Sequence, residues 1–140
     1  MLYNLMSYIS YLGTSIICLL VAGFIYVRFT PIDEIAELRK SNTAAAIALG
    51  GATIGYAVVI YSVMTHLYGI TSIPQGLGQV ILWSAISLVT QIIAFEIMRV
   101  ILAVIHDDWK ARIEKGDIAH GIFAGAFSLA LGILNAGAVT

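Results

Sequence analysis

At 140 residues the chain has the length of one domain, and its seven Lys and Arg against eight Asp and Glu exclude the charge bias of a nucleic-acid binder. With 60% hydrophobic and 11% charged residues and a mean hydropathy of +0.96, it has too little polar surface to cover a soluble globule. Its expected solvent is lipid.

The first charge is Arg28, so residues 8–27 read as a retained first span with no basic n-region or cleavage site of a removable signal. The one cysteine, Cys18, lies inside it, which excludes an intrachain disulfide. A membrane helix needs about 20 mainly apolar residues, and three further segments supply them, at 43–68, 78–105 and 118–139.

The first charged connection reads FTPIDEIAELRKSN. Thr30 as N-cap, Pro31 in the first turn and Asp33 beside the helix's positive end predict a short amphipathic helix running to Lys40 along the membrane surface. Ser41 or Asn42 then caps span two, and Asn42 is the one carried forward. The second connection, after span three, repeats the plan: Asp107 and Asp108 open a short helix, Gly116 ends it, and Asp117 caps span four. Arg28, Arg39, Lys40, Lys110, Arg112 and Lys115 all lie in these two connections, whereas the connection between spans two and three has no basic residue. The positive-inside rule therefore predicts cytoplasmic charged turns and both termini outside. An outer aromatic belt of Tyr3, Tyr8, Tyr11, Tyr68 and Trp83, with Tyr26 and Trp109 at the inner face, agrees.

Sliding the chain by 75 residues superposes the two connections, with six identities in the 18 positions 33–50. The fold expected is all-α: four transmembrane helices as two parallel tandem hairpins, repeated over 8–68 and 78–139, with short cytoplasmic elbow helices. Both copies carry a stripe of small residues at helical spacing. These are Ala46, Gly50, Thr53 and Ala57 in span two, and Gly121, Gly125, Ser128, Gly132 and Ala136 in span four. Such faces let helix backbones approach in lipid, and Gly51–Gly55 and Gly121–Gly125 also have GxxxG spacing. The stripes predict a packing seam within the bundle or between copies, with a substrate path lined by backbone and hydroxyl groups as the alternative.

Glu96 and Arg99 are the charges inside a predicted span. Ionisable groups there are candidate functional sites by default, so a proton or cation site with Glu96 as carboxylate, Arg99 as counter-ion and Gln91 as a further polar ligand is the sharp reading. An ion pair that fixes packing near the inner interface is the bland one. His106, Asp107 and Asp108 lack metal-ligand spacing, so no metal or other cofactor is expected. His120 is placed to pair with Asp117, and His66 reads as interfacial. No nucleophile with its base can be assembled, and an enzyme is not expected.

The stretches FTPIDEIAELRKSNTAAAIALGGATIGYA and GDIAHGIFAGAFSLALGILNAGAVT resemble the two halves of the YjfL-like bacterial membrane proteins, an uncharacterised family whose domain occurs as a tandem pair. The resemblance covers nearly the whole chain. It implies a four-span inner-membrane protein and supplies no activity or cofactor. Members of this family are sometimes encoded near relatives of phage-shock protein A, which implies an envelope-associated role. Two functions are carried forward: a homo-oligomeric membrane scaffold whose charged turns dock a cytosolic or peripheral protein, and an oligomeric channel or transporter using Glu96.

Overall fold

The computed structural model describes residues 2–67, 72–104 and 108–139. Six helices follow in order: α1 (Leu2–Phe29), α2 (Glu34–Arg39), α3 (Thr43–Leu67), α4 (Ile73–Val104), α5 (Trp109–Glu114) and α6 (Ile118–Ala138). α1, α3, α4 and α6 are long and apolar enough to cross a membrane. Tyr68, His106 and Asp107 lie outside the described residues, as does the side chain of Tyr3.

α4 begins five residues before the expected 78. Ser72 and Gln75 have the spacing of a capping box: the Ser72 hydroxyl donates to Gln75 Oε1 at 3.0 Å, and Gly76 N–H bonds the Ser72 carbonyl at 2.9 Å. Pro74 in that first turn forgoes a donor the helix does not use there.

The cap of α2 is a correction. Thr30 N–H still bonds the Tyr26 carbonyl at 2.9 Å, closing the last turn of α1, so Thr30 cannot also open the next helix. Asp33 is the N-cap, accepting from Ala36 N–H at 3.0 Å. Asp108 does the same for α5 with Ala111 N–H at 3.2 Å. Asn42 Oδ1 accepts from Ala44 and Ala45 N–H at the head of α3, and Asp117 Oδ1 from Ala119 N–H at the head of α6.

Both short helices end in a left-handed residue, Ser41 at φ 62° and Gly116 at φ 82°. The exit bonds match as well. Ser41 N–H bonds Leu38 O and Asn42 N–H bonds Glu37 O, while Gly116 N–H bonds Ile113 O and Asp117 N–H bonds Arg112 O, all at 2.9–3.0 Å. This is the Schellman pattern twice, formed once by glycine and once by a residue for which the conformation costs energy.

α3 and α6 lie side by side. Cβ atoms built on Gly121 and Gly125 would fall 2.5 Å from the Ala44 carbonyl oxygen and 2.6 Å from that of Ile47; one on Gly55 would fall 2.6 Å from that of Ser128. Further along, the Ser62 hydroxyl donates to the Ala136 carbonyl at 3.0 Å. Both sets of residue numbers rise together, so the two helices run parallel. α1 runs opposite to α3, with Ser15 Oγ 2.9 Å from Met64 Sδ. α4 descends to the end where the short helices sit: Phe95 stands edge-on to Tyr26 at 6.0 Å and to Trp109 at 5.3 Å between ring centres.

Candidate functional site

The Glu96–Arg99 pair forms, but it does not face the bundle core. Arg99 Nε donates to Glu96 Oε2 at 2.8 Å, and the side chains are 47% and 39% exposed for Arg99 and Glu96. Phe95 lies between Tyr26 and Trp109, level with the heads of the short helices, so residues 96 and 99 are near the end of the bundle. Gln91 goes elsewhere. It is 2% exposed, on the inward face with Phe95 and Met98, and its amide donates to the Ser128 carbonyl at 3.3 Å. The three residues grouped by sequence thus occupy two faces of α4, because a helix places positions 91, 95 and 98 together and turns 96 and 99 away.

The seam also differs from expectation on one side. Gly121, Gly125, Ser128, Gly132 and Ala136 are all buried on α6. On α3, Ala46 and Thr53 are exposed and a Cβ on Gly50 would meet nothing within 4 Å. The face that meets α6 is Ala44, Ala48, Gly51, Gly55 and Ser62, and the expected stripe lies two residues on, roughly 200° around the helix. Ala57, only partly buried, belongs to that same displaced stripe. Small residues surround α3 on all sides, so their spacing could not choose a face. Gly51 against Gly125 and Gly55 against Gly132 bring backbone to backbone, leaving no room for a side chain. Thr53 can face outward because its hydroxyl donates to its own helix at Leu49 O, 2.8 Å away.

Sequence reasoning missed the most organised polar cluster, at the junction of α2, α3 and α5. Asn42 Nδ2 donates to Glu37 Oε2 at 2.8 Å and to the Ile113 carbonyl at 2.7 Å, tying the exits of the two short helices together. Glu37, 6% exposed, also takes Lys40 Nζ at 2.6 Å. The hydrogen bond from Lys40, with that from Asn42, holds the Glu37 carboxyl below the usual carboxylate range. Glu34 is 3% exposed and accepts from the Thr30 hydroxyl at 2.8 Å. Burial pushes its carboxyl up to about 7, with the Thr30 bond opposing and nearby Asp33 adding. A signal was present in the sequence. With the 75-residue offset Glu34 falls on Trp109, which is 4% exposed, so a carboxylate stands where the second half has a core aromatic.

The outer face of this junction carries both signs of charge, with Asp33, Asp108 and Glu114 exposed. Arg39, Lys40, Lys110, Arg112 and Lys115 are exposed. Lys110 and Arg112 have acidic neighbours at 3.6 Å, in Glu114 and Asp117. His120 Nδ1 lies 2.9 Å from Asp117 Oδ2, a local pairing. His66 Nδ1 donates to the Ser62 carbonyl of its own helix at 2.8 Å. Among the described residues no three His, Cys, Asp or Glu side chains come together.

These features define a small all-helical protein with four membrane-length helices and two capped polar turns. The chain belongs to the DUF350 family, a domain of unknown function, which it matches over residues 1–139. It is 29% identical over 137 residues, 98% of this chain and 96% of the relative, to the UPF0719 inner membrane protein YjfL of Escherichia coli K12, and equally to that of Escherichia coli O157:H7. No solved structure matches it.

Proposed function

We propose that the chain is a multi-pass inner-membrane scaffold or partner subunit rather than an enzyme. In this reading it is built from a duplicated two-span hairpin, lies with both termini outside and both charged turns in the cytoplasm, and assembles as a homo-oligomer. The observation that carries the reading is the backbone contact between α3 and α6. Where carbonyls of one helix fill the places of missing side chains on the other, the seam is closely packed. The matched caps and Schellman exits support duplication, and the parallel run of α3 and α6 fits two co-oriented hairpins. The six-to-none bias of basic residues between the charged turns and the remaining connection supports the orientation.

Asn42 joins the exits of α2 and α5, so their exposed basic residues form one surface for a cytosolic or peripheral partner. Because the small-residue seam joins two helices of one chain, a second copy would meet a different face. The channel reading has less support, since Glu96 is paired and turned outward.

Reversing Arg39, Lys40, Arg112 and Lys115 to Glu should remove a co-purifying cytosolic partner while leaving the membrane protein intact. An unchanged partner set argues against docking at the turns. In proteoliposomes, cation or proton flux should be at background and equal in native and Glu96→Gln protein; flux that Glu96→Gln abolishes would restore the channel.

A further inference from the structure

We propose that the groove between α1 and α3 is a binding site for one phospholipid with a primary-amine headgroup. Two adjoining cavities of about 350 Å³ each make up the site. The first is almost wholly apolar, walled by α1 and α3 and floored by Leu88 and Gln91 of α4. The second lies at the end of α1, where Arg28, Thr30 and Asp33 line it. Phe24, Val27 and Ile35 line both, so the apolar cavity adjoins the one at the polar turn. Its rim faces the surroundings: Phe24 is 75% exposed and Leu20 68%.

An apolar trough that opens sideways on a membrane helix bundle and ends beside charged groups has the shape of an acyl chain with its headgroup. The charges specify the headgroup. Arg28 has no ion-pair partner among the described residues and is suited to a phosphate diester. Asp33 uses Oδ1 to cap α2, and its Oδ2 carries no hydrogen bond among the described residues. A primary ammonium donates to such a carboxylate, whereas a quaternary ammonium has no N–H to offer. An anionic headgroup without an amine satisfies Arg28 and is repelled by Asp33. The site can be tested apart from partner docking, because Arg28 and Asp33 line it whereas the docking substitutions are at Arg39, Lys40, Arg112 and Lys115.

The test is native mass spectrometry of the full chain released from vesicles of equal parts phosphatidylethanolamine, phosphatidylcholine and phosphatidylglycerol. The native chain should retain one phosphatidylethanolamine in preference to the other two. Gly23 lines the groove, and a Cβ there would meet nothing within 4 Å. Gly23→Trp should therefore fill the trough without breaking a packed contact and abolish retention of all three lipids. Gly13→Trp, an open position on the same helix outside the groove, should leave retention unchanged.

Arg28→Gln should weaken retention about tenfold, the loss of one charge-assisted hydrogen bond. Asp33→Asn keeps a competent helix cap and should bring phosphatidylethanolamine down to the phosphatidylcholine level. Equal retention of the three lipids by the native chain overturns the proposal. So does a Gly23→Trp protein that still holds lipid, or one that loses a second copy of the chain while its lipid stays.

Discussion

Two glycines next to each other on α3 have opposite surroundings. A side chain on Gly51 would run into the backbone of Gly125, whereas one on Gly50 would meet nothing. The contrast extends to whole helices. α3 is held by α6 across shared backbone contacts, while α1 exposes Leu5, Ile9, Ile17, Leu20, Phe24 and others. In water such an α1 would aggregate. In lipid apolar exposure costs nothing, and what distinguishes inside from outside is closeness of packing rather than hydrophobicity. Small side chains mark a seam only where a partner backbone occupies the space they leave.

The sharpest test of this contrast is a pair of substitutions. Gly51→Leu should destabilise the bundle by about 3 kcal/mol or more, since neither backbone can yield. Gly50→Leu should fold as the native chain does, and thermal melting followed by size-exclusion chromatography in detergent reads both. Equal losses would show that the seam uses another face.

The next effect sets a buried carboxyl against an exposed one. Glu34 has its folded pKa raised from 4.5 to about 7, so its stabilising contribution is fully present below pH 4.5 and is lost as pH rises through 7. Native protein should lose up to about 3 kcal/mol between pH 4.5 and pH 8 through this group, and Glu34→Gln should remove that part of the pH dependence. Glu96→Gln, on the outward face, removes only the half-exposed pair with Arg99 and should cost no more than about 1 kcal/mol. A Glu34→Gln protein with the native slope would mean that this carboxyl is solvated.

The smallest effect separates the two helix exits. Gly116→Ala should cost about 1–2 kcal/mol because alanine must adopt a left-handed conformation, while Ser41→Gly should gain about 1 kcal/mol by relieving the same cost. Opposite signs in the two melting temperatures support matched exits, and equal signs contradict them.

Much of the architecture was legible in the sequence because its signals are local or collective. Four long apolar runs, the Asn42 and Asp117 caps and the Gly116 stop each follow from residues within one or two turns. The start of α4 was legible too, in Ser72, Pro74 and Gln75, although apolar content alone placed it too late. The face of α3 was not legible, for a physical reason: with Ala or Gly at 44, 45, 46, 48, 50, 51, 52, 55 and 57, every side of the helix offers a close approach. Only the partner helix decides. Glu34 and Glu37 looked like ordinary members of a charged turn, since burial of a carboxylate is set by the tertiary junction at Asn42. Glu96 stood out because it interrupts an apolar run, but its depth depends on Phe95 meeting Tyr26 and Trp109, a contact that no spacing encodes.

Side-specific labelling tests the parallel α3–α6 pairing most directly. In a Cys18→Ser background, single cysteines replacing Arg39 and Arg112 would be exposed to a membrane-impermeant maleimide in intact cells and in inverted vesicles. The parallel seam predicts that both sites react from the same side, and the proposed orientation makes that side the one exposed in inverted vesicles. One site reacting from each side would place α2 and α5 across the membrane from each other and contradict the account.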